Sequence, residues 1–192
     1  MDVLSWQFFV VVVLGLSAIA AIAMLILEGI EKKRMGAIAA RIKCTMDPKN
    51  GYRISGTYRN EQIDIFKEMI SAHHRDMSTR YVIQFTKGLP FEFELFSKNI
   101  LNNIFNSDTE IGIPDFDSKY ILKTSDKISP VQYLQKPEVR RAIGAMTARG
   151  CDNIVFKNDG LSLRLDEPTK DDYKPDNIVY MLDKGIELLA NL

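Results

Sequence analysis

The chain has 192 residues, with 25 basic and 25 acidic side chains, a formal net charge of zero and two cysteines. Nucleic-acid binding draws on a basic surplus that displaces counterions from phosphates, so this balance argues against nucleic acid as a partner. Two cysteines without a CxxC pair or a Cys/His cluster argue against a secreted disulfide scaffold and a structural zinc site, and no metal or cofactor is expected.

The charge is spread unevenly. Val3 to Leu27 carries none, whereas the stretch from Glu28 onward has the mixed polarity of a globular domain. At about 165 residues, that stretch suffices for one core of ordinary size.

A helix needs about 20 apolar residues, at 1.5 Å each, to cross the hydrocarbon of a bilayer. Phe8 to Leu27 supplies them, interrupted only by Gly15 and Ser17, and Trp6 stands where an indole ring suits the headgroup region. Leu, Ile, Val and Phe each favour insertion by a few tenths of a kcal/mol, while a central charge would cost about 3 kcal/mol. Ala18-Ile19-Ala20 and Ala21-Ile22-Ala23 have the small-residue shape of a cleavage site. Yet the apolar run exceeds a signal-peptide core, and Asp2 rather than Lys or Arg precedes it, so it reads as an uncleaved signal-anchor.

Lys32, Lys33 and Arg34 follow the span immediately, then Arg41 and Lys43. The positive-inside rule puts this flank in the cytoplasm, giving a single-pass protein of the inner (plasma) membrane with its N-terminus outside. The flank can also meet anionic headgroups at about 1 kcal/mol per charge, although Glu28 and Glu31 dilute any specific lipid recognition. No Gly/Ser/Pro-rich linker follows. The expected division is residues 1–35 as anchor and basic flank and residues 39–192 as a soluble domain close to the membrane. Gly15 and the alanines from Ala18 to Ala23 leave helix pairing, and hence a homo-oligomer, open.

In the domain, alternation of apolar residues predicts strands. Ala40, Ile42, Cys44 and Met46 alternate before a turn at Asp47 to Gly51, and Tyr52, Ile54, Gly56 and Tyr58 alternate after it. Pairing Met46 with Tyr52 sets Cys44 against Ile54, and a turn at Asn60-Glu61 sets Tyr58 against Ile63. Tyr81, Ile83 and Phe85 form the next strand. A turn at Lys87 to Pro90 would pair Phe85 with Phe91 and Ile83 with Phe93. A further strand is expected from Phe116 to Thr124.

The second half turns helical. Ser129-Pro130 predicts an N-cap with Pro at N1 for a short helix through Leu134. Pro137 opens another helix, with Val139, Ile143 and Met146 on one stripe and Gly150 as its stop. Asp159-Gly160 predicts a type I′ hairpin pairing Phe156 with Leu163. Ile178, Leu182, Ile186 and Leu189 mark a last helix. The fold class is α+β: an N-terminal transmembrane helix, an antiparallel β-meander and a helix–hairpin–helix C-terminal part.

From about Gly51 onward, several local patterns recur together. They are Gly56-Thr57-Tyr58-Arg59, Thr79-Arg80, Leu89-Pro90-Phe91, Gly112 with Asp115-Phe116-Asp117, Ser125-Asp126, Tyr133-Leu134, Val139-Arg140 and Asp159-Gly160-Leu161. On these the chain resembles an uncharacterised group of bacterial membrane-anchored α+β domains. The resemblance implies the architecture and no particular reaction.

Three clusters could carry chemistry. His73 and His74, with Asp76, form the one histidine group. Adjacent histidines diverge by about 100° on a helix and to opposite faces on a strand, which suits a solvated loop better than a shared metal. Asp115 and Asp117 would share one face of a strand, as paired acid/base or cation-binding carboxylates do. However, the calcium-loop glycine and distant glutamate are absent. The acidic loop Asp166 to Asp176 is interrupted by lysines. No Walker, GxGxxG or GxSxG pattern occurs, so no catalytic residue is assigned. The leading expectation is a non-enzymatic interaction module at the cytoplasmic membrane face, with the lipid bilayer and a membrane-associated protein as partners. A tethered hydrolase or metal-dependent enzyme and a lipid-sensing domain are the alternatives.

Overall fold

The computed structural model describes residues 3–71, 77–98, 109–166 and 174–192. One helix, α1 (Val3–Ile42), runs unbroken through the apolar stretch and across the expected boundary between residues 35 and 39. Among the described residues eight strands follow in a single antiparallel sheet: β1 (Thr45–Met46), β2 (Arg53–Tyr58), β3 (Glu61–Ser71), β4 (Met77–Thr86), β5 (Phe93–Ser97), β6 (Tyr120–Lys123), β7 (Asn153–Lys157) and β8 (Gly160–Asp166). Their order across the sheet is β1-β2-β3-β4-β8-β7-β5-β6. The further helices among the described residues are α2 (Pro114–Asp117), α3 (Ser129–Leu134), α4 (Pro137–Thr147) and α5 (Pro175–Ala190). The α+β class stands.

Helix α1 ends later than the alternation at its C-terminus suggests. Ala40, Ile42, Cys44 and Met46 suit a strand, but Met35, Ile38, Ala39 and Ile42 also form a helical i, i+3, i+4, i+7 stripe. The helix prevails because that stripe is buried against the sheet and α5. Only Thr45 and Met46 remain as strand.

The inward residues of β2, β3, β4, β8, β7 and β5 share one core with α3, α4, α5 and the C-terminal end of α1. Ile54, Ile65, Ile83, Phe85, Leu161 and Leu163 are fully buried in it. Burying a side chain of this size contributes about 1.5–3 kcal/mol. Phe91, Phe93, Phe156 and Tyr133 cluster at one end, with the Phe93 and Phe156 rings stacked 4.4 Å apart.

Three expected registers are displaced by two residues. Met46 pairs with Ile54, Gly56 with Ile63 and Phe156 with Leu161. A slip of two leaves every side chain on its original face, so the apolar pattern cannot detect it. The turn residues decide instead. Arg59 and Asn60 both take positive φ and close the β2–β3 hairpin directly after Tyr58. At β7–β8, Lys157 pairs with Gly160, so the turn is Asn158-Asp159. Gly160 is needed for contact: with φ +154°, a methyl group there would lie 2.0 Å from the Phe85 carbonyl oxygen.

The expected β4–β5 hairpin does not form. β4 pairs with β8, setting Ile83 against Leu163 and Tyr81 against Leu165. β5 is separated from β4 by β8 and β7, and lies between β7 and β6. The connecting segment crosses the end of the sheet past the β7–β8 turn, where Leu89 N–H donates to the Asn158 carbonyl. Residues 114–117 form the helical turn α2, and the strand expected there shortens to Tyr120–Lys123. At α3, Ser129 is already helical. The Asp126 carboxylate accepts the Ile128 and Ser129 N–H groups in the capping role expected of Ser129.

Candidate functional site

The feature that most constrains this molecule is the junction between α1 and the sheet. Every described side chain from Phe9 to Leu27 is exposed, and α1 is the one described helix long and apolar enough to cross a membrane. Two turns after Leu27 the same helix enters the core at Met35. Between them, Glu31 accepts two hydrogen bonds from Lys67 Nζ, at 2.8 and 3.0 Å, and one from the Tyr81 hydroxyl at 2.6 Å. Lys67 and Tyr81 are cross-strand neighbours on β3 and β4, so one carboxylate ties the helix to both strands.

Electrostatics favours the ionised carboxylate. Partial burial would raise the affinity of Glu31 for a proton. The Lys67 and Tyr81 hydrogen bonds, with the charges of Lys67 and Arg34, overcome that effect and hold it below the ordinary glutamate value. The aliphatic stem of Lys32 lies against Gly51, while its ammonium pairs with Glu28 at 2.7 Å. Lys33 is exposed, and Arg34 lines a small crevice with Glu31, Met35, Ile38 and Tyr81. Trp6 and Phe8 belong to the first turns of α1, and Leu27 closes its exposed apolar run. The sequence exposes the basic flank but not the clamp. Glu31, Lys67 and Tyr81 are far apart in the chain, and their one legible sign is an acidic residue inside a basic flank.

The two aspartates stand in different surroundings. Asp117 accepts the N–H groups of Ile111 and Ile113 at 3.0 and 2.8 Å, bracketing the loop before α2. Asp115 is exposed and lines a groove of about 420 Å³ between α2, β6 and α4, with Lys119, Arg140 and Arg141. The helical turn therefore sends the two carboxylates to different tasks. His73, His74 and Asp76 lie outside the described residues. Among the described residues no cluster of three or more His, Cys, Asp or Glu could hold a metal ion. Cys151 is buried, which pushes its thiol up to about 12.

The sheet face opposite the core carries a second polar network the sequence does not announce. Arg80 pairs with Asp166, and Arg53 with Asp64 at 2.9 Å. Glu94 accepts from Arg164 at 3.3 Å and from Asn153 at 3.0 Å. These pairs bind β2 to β3, β4 to β8, and β8 to β5 across the intervening β7.

No family model matches the chain, and no curated protein resembles it in sequence. Among solved structures, the fold is similar to the crystal structure of the mycobacterial trehalose monomycolate transport factor A, TtfA. The TM-score is 0.54 at 10% sequence identity, covering 84% of this chain and 95% of that one. At that identity the likeness shows a shared fold and nothing finer.

Proposed function

We propose that the chain is a single-pass, membrane-anchored and non-enzymatic accessory module that engages a membrane-associated protein at the cytoplasmic face. The observation that carries this reading is the continuity of α1, which passes from an exposed apolar span into the domain core without a linker. A domain so held meets membrane-bound partners at high effective concentration, which lets a small interface suffice. The basic flank Lys32, Lys33 and Arg34 supports the orientation with the N-terminus outside. The structurally similar protein is described as a transport factor, and an accessory role beside a membrane transport process is the reading that layout supports for this chain.

Cross-linking in native membranes, followed by pull-down of the full chain and of a chain lacking residues 1–30, tests the role. A partner captured by the full chain and lost from the truncated one is the expected result. Turnover of a substrate panel with no partner recovered would overturn it. Protease treatment of sealed spheroplasts and inverted vesicles tests the orientation, with cleavage of the domain expected only in the inverted vesicles.

A further inference from the structure

The groove beside Asp115 combines an aromatic floor with a basic rim. Phe116 of α2 and Tyr120 of β6 supply the floor, their ring centroids 4.5 Å apart. Lys119, Arg140 and Arg141 stand around it, against one lining carboxylate, that of Asp115. In a chain whose charges cancel, this imbalance makes a local positive field. Arg140 already serves the fold, because its Nη1 donates to the Leu134 and Gln135 carbonyls at the C-terminal end of α3. Lys119 and Arg141 are exposed and make no ion pair among the described residues, so both cations are open to a ligand.

Gly144 carries a second and independent sign. It lines the groove from inside α4, where glycine is a poorer helix former than alanine. Packing does not require it. A methyl group there would meet only the Tyr120 hydroxyl among the described residues beyond its own helix, at an ordinary 3.9 Å. At Gly185, by contrast, a methyl would strike the Phe85 ring. The glycine of α4 thus forgoes helix propensity and leaves space in the groove.

At about 420 Å³ the groove falls within the size range of binding clefts, about 300–1,000 Å³. A bare anion would pair with the cations and leave the rings wet. An acidic peptide bearing an apolar side chain satisfies both parts, with carboxylates on the basic rim and the apolar group over Phe116 and Tyr120. We propose that the groove between α2, β6 and α4 is the docking site for an acidic segment of a partner protein. Its apolar side chain sits beside Gly144, and its carboxylates pair with Lys119 and Arg141. The inference rests on the partner-binding reading above and names the surface that carries it.

The test follows the fluorescence anisotropy of a labelled synthetic peptide, in which Glu alternates with Leu and Phe, on the full chain in neutral detergent. Binding is expected for this peptide and not for its Gln counterpart. Lys119→Glu combined with Arg141→Glu replaces attraction by repulsion and should weaken binding by about tenfold or more, whereas Asp115→Asn should tighten it. Gly144→Leu should abolish binding without lowering the denaturation midpoint, a split that a purely structural glycine would not give. Equal binding of the Gln peptide, or unchanged binding in the charge-reversed chain or in Gly144→Leu, would overturn the proposal. Phosphatidylglycerol bound in place of the peptide, and lost in the charge-reversed chain, would assign the groove to lipid instead. In native membranes, a partner captured by the full chain should be released by the Glu peptide and not by its Gln counterpart. If the partner stays bound in the presence of the Glu peptide, the groove is wrong and the accessory reading stands. If the full chain captures no partner, the accessory reading falls and the groove with it.

Discussion

Glu31 illustrates how one side chain can tie a helix to two strands at once. Its carboxylate meets an ammonium and a phenol while partly shielded from water, so it acts at short range with modest salt screening. Glu31→Ala is expected to destabilise the domain by about 1–2 kcal/mol, read by chemical denaturation of the full chain in detergent. Because its folded pKa is lowered, the contribution of Glu31 is complete above the ordinary value of 4.5. It disappears as pH falls through the lower folded value. The stability difference between the wild type and Glu31→Ala should therefore shrink to nothing on acidification. A difference that persisted at acid pH would show that packing, rather than the charge, is what the substitution removes.

The aspartate pair offers a second comparison at this scale. Asp117 satisfies two backbone N–H groups, so Asp117→Ala leaves them without partners and should cost about 1–2 kcal/mol. Asp115→Ala, on an exposed carboxylate, should stay within about 0.5 kcal/mol. Equal losses would contradict the division of labour seen in α2. Gly185 makes the opposite point, that a small residue can be required by its neighbour. Alanine normally gains about 1 kcal/mol over glycine inside a helix. Here its methyl would sit 2.4 Å from the Phe85 ring, so Gly185→Ala should lower the denaturation midpoint despite the better helix former.

At the scale of elements, α1 does two jobs with one continuous backbone. Its first part is apolar on all sides, as a lipid-exposed helix is. Its last part carries one stripe of Met35, Ile38, Ala39 and Ile42 facing the sheet. Coupling between the two depends on the intervening turns staying helical. Gly29→Pro removes a backbone hydrogen bond and clashes with the preceding turn, at about 3 kcal/mol or more. It should loosen the domain from the span while leaving the sheet intact. Spin labels placed on either side of residue 29 would show a broadened distance distribution, with unchanged hydrogen exchange in β4 and β8. A distribution as narrow as the wild type's would mean that the clamp alone fixes the domain.

At the scale of the molecule, β4 and β8 join what would otherwise be two smaller sheets. The β1–β4 ribbon lies on one side and β5, β6 and β7 on the other. Ile83 sits at this seam, paired with Ile65 and Leu163 and fully buried. Ile83→Ala is expected to cost about 2–5 kcal/mol. If the sheet is one cooperative unit, hydrogen exchange should accelerate together in β3 and in β7. Acceleration confined to one side would show two independently stable halves.

The sequence by itself determined the apolar span, its basic flank, the α+β class, the inward faces of most strands and the stripes of α4 and α5. These are properties of composition and of periods of 2 and 3.6 residues, which local physics enforces wherever the chain goes. Only the tertiary structure decided the rest. It fixed the registers, because slips of two preserve faces. It chose β8 over β5 as the partner of β4, because an apolar ladder accepts many apolar ladders and the choice falls to packing over the whole sheet. It carried α1 through Ile42, because burial against α5 outweighed a local alternation. It also brought Glu31, Lys67 and Tyr81 together from three distant segments, which no spacing along the chain could foretell.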